Sequence, residues 1–329
     1  MATLPSLSII IPVYQVEAFI LACLESVVAQ AYEGRVEVIL VDDYGSDNSV
    51  ELVKTFVEKY QGSFSFLLYC HTHNKGLSAA RNTGMHHATG DYLLFLDGDD
   101  ELLPNALINL AAPALSESYD VILGRALRSD DVTSRTLPEY SKLYGDAILD
   151  EYIKGHLSLV AWNKLYRREM IVSNSLFFRE GIIREDDLWN FHVSRVAQSY
   201  FIIKERTYLY RIRSGSIMAN LDKEKEIRSL HVIISELIDF AKKNSRIYDR
   251  DLCRMIESYR CSILLNSYPD KNRFIAEYLK LRESNPVKWI DYFRMEFFHP
   301  IKELRLLHYA FPAKFGAEYQ FWWLRRKIW

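Results

Sequence analysis

Apolar and polar positions divide the first part of the chain into short buried runs separated by helical periods. Leu7 to Pro12 predicts a short buried strand ended by proline. Phe19/Ile20, Cys23/Leu24, Val27/Val28 and Ala31 then recur every three or four residues, the spacing of one helix face. Val36 to Val41 predicts a second strand, which runs straight into Asp42 and Asp43. A helix is expected from about Asn48 to Tyr60, with Val50, Val53, Phe56, Val57 and Tyr60 on one face. Phe64 to Tyr69 reads as strand, His71 to Gly76 as loop, and Leu77 to Ala88 as a short helix. Tyr92 to Leu96 is an unbroken apolar and aromatic run, the signature of a strand buried on both faces. It ends in Asp97, Asp99 and Asp100, with Gly98 between the first two. Strands alternating with helices predict an α/β fold with a mostly parallel, doubly wound sheet flanked by helices.

Beyond Asp100, a helix is expected from near Pro104 to Leu115, and a strand over Val121 to Gly124. Residues 128–146 are polar and poor in periodicity, so a long loop over the site is predicted there. Val160 to Tyr166 reads as strand, Arg184 to Ala197 as helix, and Tyr200–Ile203 and Tyr208–Arg213 as two further strands. From Asp222 glycine almost vanishes, and Leu230, Ile233/Ile234, Leu237/Ile238 and Ala241 follow helical spacing. The predicted organisation is a catalytic domain over 1–218 and an all-helical appendage over 219–329.

Charge sharpens this division. Residues 1–120 carry 16 acidic and 5 basic side chains, a net −11, while the remainder carries 27 and 36, a net +9. An acidic half suits a metal site, and a basic half suits an anionic partner or surface; two halves that simply attract each other would look the same. No apolar run approaches the roughly 18 residues of a spanning helix, and Met1 to Pro5 lacks a signal-type pattern, so a cytoplasmic location is expected. Cys23, Cys70, Cys253 and Cys261 have no zinc spacing and are expected to be reduced thiols. The histidines offer no metal pattern: His71 and His73 sit in loop and His86–His87 near a helix end.

Two predicted strands therefore carry acid to the carboxyl edge of a sheet, where open α/β folds place their ligands. Carboxylates this close raise each other's pKa unless a cation neutralises them. A hard divalent ion, Mn2+ or Mg2+, would accept their oxygens and leave positions for substrate phosphates. A solvated turn with Asp99 or Asp100 capping a helix is the alternative.

Four motifs in order bear on the choice: Ser8–Tyr14, Asp42–Ser49, Asn74–Gly84 and Asp97–Asp100. In their order and spacing they resemble the family 2 glycosyltransferases over roughly residues 6–216. The resemblance implies the GT-A (Rossmann-like) fold and inverting transfer from a nucleotide-diphospho-sugar, most simply a UDP-sugar. In that setting Pro12, Val13 and Tyr14 end the first strand beside a flat base. Asp42 and Asp43 suit the base edge and ribose, an ionised carboxylate being a pure acceptor; which of them does so stays open. Asp47 is expected to cap the following helix. Asn74, Lys75 and Arg81 belong to the third motif, where Arg81 would grip a phosphate or an aspartate. By resemblance Asp97 contacts ribose or metal, Gly98 permits the turn, and Asp99 is the direct metal ligand. Glu185-Asp186-Asp187 resembles the family's acidic pair at a helix start, with Asp186 as general base and Glu185 or Asp187 as fallbacks. Trp162 would form a sugar-stacking wall, and Lys164 would meet a phosphate or carboxylate. Arg213 and Ser216 resemble donors that close over the diphosphate. Gln15 and Tyr44-Gly45-Ser46 depart from the family's commoner residues without removing a charge.

The expected acceptor is a saccharide or lipid-linked saccharide hydroxyl in bacterial surface polysaccharide (capsule, LPS or exopolysaccharide) synthesis, and no nucleic-acid partner is expected. Residues 315–329 mix aromatics with Arg325-Arg326-Lys327, which suits peripheral contact with the inner face of a membrane; packing onto the protein or a homo-oligomer contact suits it equally. Two rivals stay open at this point. A nucleotidyltransferase would want a glycine-rich basic loop after the first strand, where Tyr14-Gln15-Val16-Glu17 stands. An inactive nucleotide-sugar-binding module would tolerate loss of Asp99 or Asp186.

Overall fold

The structure is a computed structural model and describes residues 3–129, 141–212, 222–268, 270–284, 286, 317–318 and 321. The chain divides into two compact units, Met1–Gly181 with Glu185–Asn220, and Ile182–Arg184 with Leu221–Trp329.

The first unit is built on one mixed sheet. β1 (Leu7–Val13), β2 (Val36–Asp42), β3 (Ser65–Cys70) and β4 (Tyr92–Phe95) form its parallel half in the order β3-β2-β1-β4. β1, β2 and β4 are buried throughout, because α1 (Ile20–Val28), α2 (Ser49–Lys59) and α3 (Leu77–His87) cover the sheet. β3 lies at the edge and alternates in exposure. The register pairs Val13 with Asp42 and Ile10 with Phe95, so the carboxyl ends of three neighbouring strands stand side by side.

Beyond β4 the sheet turns mixed. β5 (Glu101–Leu102) precedes α4 (Ala106–Ala111) and a 3-10 turn over Ala112–Leu115; β6 (Val121–Arg128), β7 (Lys142–Tyr144), β8 (Lys164–Arg167) and β9 (Ser199–Tyr210) follow. β8 joins the halves, antiparallel to both β4 and β6. The remaining helices are α5 (Asp146–Ile153), α6 (Arg168–Ser173) and α7 (Glu185–Val196).

Three local expectations change. The two strands foreseen after Tyr200 are one, β9; exposed Lys204-Glu205-Arg206 interrupts the apolar pattern without breaking the backbone. The expected loop 128–146 contains β7, which pairs with β9, while 130–140 lies outside the described residues. Of the stretch 160–166 only Lys164–Tyr166 is strand, the first part of β8, because residues 158–161 form an irregular segment around a buried ammonium.

In the second unit α8 (Lys223–Lys243), α9 (Arg250–Ser267) and α10 (Lys271–Glu283) each begin at an aspartate. Asp222, Asp249 and Asp270 each accept two backbone N–H groups of the first turn. Leu230, Ile233, Ile234, Leu237, Ile238 and Ala241 form the buried face of α8, as their spacing predicts. Phe321 packs on Tyr268 and Phe274, with ring centroids at 5.5 and 5.7 Å. Most of the 315–329 segment lies outside the described residues. Among the described residues no helix is long and apolar enough to cross a membrane.

Candidate active site

The edge where β1, β2 and β4 end collects most of the residues singled out by sequence. Pro12 and Val13 are buried and only Tyr14, 42% exposed, offers a ring to a ligand. Gln15 and Tyr44 adopt left-handed φ of 52° and 60°, backbone strain of the kind that gathers at ligand sites. Asp47 ties these turns together: it accepts from Ser49 N–H and Ser49 Oγ beside the start of α2, and from Glu17 N–H.

Asp42 and Asp43 take different parts. Asp43 is 3% exposed, and its carboxylate accepts from Lys75 N (2.8 Å) and Gly76 N (2.7 Å) and lies 2.7 Å from His71 Nδ1. Thr83 Oγ1 lies 2.9 Å from His71 Nε2, and Asn74 Nδ2 donates to Asp43 O. Asp43 therefore pins the 71–76 loop, and of the two acids the sequence left open it is the one engaged by the fold. His71, read from sequence as an ordinary loop histidine, is a buried member of that brace. Asp42 accepts from Gly45 N at 3.2 Å and is the carboxylate at the strand end better placed to receive a base or ribose. The side chains of Asn74 and Lys75 lie on the exposed rim.

The second corner is the Asp97–Asp100 turn. A Cβ on Gly98 would lie 2.9 Å from Pro12 O, so only glycine lets the turn approach β1 this closely. Asp100, the foreseen alternative cap, instead accepts from Tyr208 Oη (2.7 Å) and Arg211 N (2.7 Å). Burial, and then the neighbouring Asp97, push it up to about 8. Asp97 keeps 24% of its side chain exposed, yet burial raises it as well; Arg81 opposes the shift and Asp99 adds to it. A hard cation would relieve this repulsion, so the donor set suits Mn2+ or Mg2+ in charge and chemistry. Among the described residues no three metal-binding side chains converge. The chain would thus supply one or two carboxylates, Asp99 and Asp97, and leave the other positions to phosphate and water.

Arg81 joins this corner to the acidic helix start. It is 1% exposed on α3, and its guanidinium meets Asp97 Oδ1 (3.0 Å), Glu185 Oε1 (3.0 Å) and Asp186 Oδ1 (2.6 Å). Of the two expected roles it takes the carboxylate one; a phosphate cannot reach it. Asp186, with 18% of its side chain exposed against 11% for Glu185, is the more open of the acidic pair. Its other oxygen accepts from Ala161 N at 3.0 Å. Burial and the adjacent Asp186 push Glu185 up to about 7 although Arg81 opposes the shift. Arg184 enters α7 at a φ of 61°. It pairs with Glu226 of α8, and Ile183 N donates to Ser229 Oγ at 2.9 Å.

Trp162 lies half-buried and flat against Tyr208 and Tyr210, with centroids at 4.4 and 5.6 Å, so part of its stacking surface is already used. Lys164 is a correction. Its ammonium, 1% exposed, donates to Ser158 O, Val160 O and Asn190 Oδ1 at 2.8, 2.6 and 3.0 Å, and no ligand phosphate can meet it. Burial draws its pKa down to about 7, and Asp186 counters part of that shift. Arg213 and Ser216 lie outside the described residues. Sequence reasoning assigned nothing to Asn190, Tyr208 or Ala161, whose roles depend on partners distant in the chain.

Comparison with known proteins identifies the family and the fold. Residues 8–173 match the family model for glycosyl transferase family 2, and the chain belongs to that family. The Glycosyltransferase GlyA of Streptococcus pneumoniae serotype 4 is 29% identical over 70% of this chain and 34% of its own length. The Poly(ribitol-phosphate) beta-glucosyltransferase of Bacillus spizizenii is 23% identical over 84% of this chain and 47% of its own. The chain thus spans a third to a half of these two relatives. Among solved structures, residues 1–349 of S. aureus TarS in complex with UDP-GlcNAc superpose with a TM-score of 0.75 at 19% identity, over 98% of this chain and 92% of that one. That likeness establishes the GT-A glycosyltransferase fold.

Proposed function

We propose that the chain is an inverting glycosyltransferase that moves a sugar from a nucleotide-diphospho-sugar, most simply a UDP-sugar, to a saccharide hydroxyl. The observation that carries this reading is Arg81. One buried guanidinium holds Asp97 of the metal-candidate turn and Asp186 of the helix start, so the candidate leaving-group and base residues are tied to a single side chain. Tyr14 and Asp42 receive the nucleoside at the neighbouring strand ends. Asp186 accepts the acceptor proton while the hydroxyl oxygen attacks the anomeric carbon; the bond to the diphosphate oxygen breaks and the configuration inverts. A divalent ion held by Asp99 and Asp97 would neutralise the charge gathering on the diphosphate. The UDP-GlcNAc carried by TarS supports a UDP donor. The poly(ribitol-phosphate) relative supports a place in bacterial surface-polymer synthesis, with the acceptor presented at the inner face of the membrane.

The test is UDP release from a panel of UDP-sugars with Mn2+, repeated with GDP- and dTDP-sugars. Slow release that Asp99→Ala abolishes is expected. Binding without release from any donor would identify an inactive module, and pyrophosphate release from sugar phosphate and UTP would identify a nucleotidyltransferase.

A further inference from the structure

The cage around Lys164 carries an inference that rests on the reading of Asp186 as general base. Four consecutive carbonyls, those of residues 158 to 161, are turned onto three side chains. Ser158 O and Val160 O accept from Lys164 Nζ, and Leu159 O accepts from Asn190 Nδ2 at 2.8 Å. The Tyr166 hydroxyl lies 3.1 Å from both Ala161 O and Asn190 Oδ1. Residues 158–160 adopt no regular structure and Ala161 begins a bend, so this backbone is not a strand, although Leu159, Val160 and Ala161 are apolar. The side chains of Leu159, Val160 and Ala161 have no polar atom to hold such a turn. The ammonium does it: three N–H donors meet three acceptors, and two of those acceptors are carbonyls two residues apart. With its carbonyls so fixed, the turn directs Ala161 N–H at Asp186 Oδ2. Asn190 closes the loop by donating to Asp186 O as well, at 3.1 Å.

We propose that Lys164 is a positioning residue for sugar transfer: its buried ammonium templates the 158–161 turn, and the turn aims the Ala161 amide at the carboxylate that receives the acceptor proton. Arg81 holds one oxygen of that carboxylate and the Lys164 turn holds the other. The base is clamped from both sides, by a direct ion pair on one and by a backbone amide at one remove on the other. Isosteric replacement of Lys164 would leave the nucleotide contacts in place and let the carboxylate swing.

The experiment uses the full chain with Mn2+, measuring kcat and KM for UDP release from a UDP-sugar and UDP affinity by calorimetry. Lys164→Met is expected to lower kcat about 10–100-fold while KM and UDP affinity stay within about twofold. An unchanged kcat overturns the proposal, and so does a proportionate loss of kcat and UDP affinity, which marks a purely structural lysine. Tyr166→Phe removes only a hydroxyl from the cage and keeps the ring, so it serves if the methionine variant does not fold. It is expected to lower kcat about fivefold at unchanged UDP affinity, and wild-type kcat in that variant overturns the proposal. Asp186→Asn is measured in parallel. If it turns over normally, the base assignment fails and this proposal falls with it. If it is inactive while Lys164→Met turns over normally, this proposal alone fails.

Discussion

Arg81→Met tests the electrostatic keystone of the pocket. The guanidinium lies within 3.0 Å of oxygens on Asp97, Glu185 and Asp186, and its side chain is 2% exposed. Methionine fills similar space but leaves three carboxylates clustered without their cation. Breaking a buried ion pair by removing one partner costs about 3–5 kcal/mol. In a unit of this size that lowers the melting temperature by about 6–20 °C. The loss should depend on pH, with a sign fixed by Glu185. Its pKa stands at about 7 against an ordinary 4.5, so the native state binds this proton more tightly than the unfolded chain does. The stability it contributes is complete below the ordinary value and drains away as pH rises through about 7. Without Arg81 the shift grows in the same direction, so the variant's deficit widens from about pH 5 to about pH 8. Thermal melts of both proteins in chelator at those two pH values decide the matter. A deficit that is equal at both, or a melting temperature within about 2 °C of wild type, refutes the reasoning.

Asp186→Asn should reduce UDP release at least about 100-fold while calorimetry shows UDP binding unchanged; wild-type-like turnover removes the base assignment. Tyr14→Ala should weaken UDP binding by about 1–3 kcal/mol with kcat at saturating donor preserved, and unaltered affinity would place the base elsewhere. Gly84→Ala puts a Cβ 2.3 Å from Ile10 Cγ2 in the core between α3 and β1. It should cost about 1–3 kcal/mol in thermal stability but leave activity per folded molecule intact.

Much of the parallel half was legible because strands buried on both faces write themselves as unbroken apolar runs, and the acids that follow mark their carboxyl ends. Asp42, Tyr14 and Asp97 could therefore be placed on one edge before any coordinates. What failed to show is what long-range pairing decides. Arg81 meets Glu185 and Asp186 across 104 and 105 residues, and nothing near it in the chain distinguishes a carboxylate partner from a phosphate. Asp43 and Asp42 are neighbours of identical chemistry; the loop bearing Gly76 and His71 separates their duties. Lys164 reads as a ligand for a phosphate or carboxylate because a lysine two residues from a motif tryptophan gives no sign that its head faces inward. Val160 and Ala161 read as the start of a strand because their side chains are apolar, while their conformation is set by carbonyls that no hydropathy pattern reports.

Three residues just ahead of the acidic pair, Ile182–Arg184, belong to the helical unit rather than to the sheet that flanks them in the chain. Ile183 is hydrogen-bonded to Ser229, and Arg184 is paired with Glu226, which Asn266 also engages. The two units are consequently not interchangeable cassettes. A gene trimmed after residue 220 would encode the whole sheet yet strip the lead-in to the acids of its anchors. Any swap of C-terminal helices between relatives must carry Ser229 and Glu226, or their equivalents, along with it.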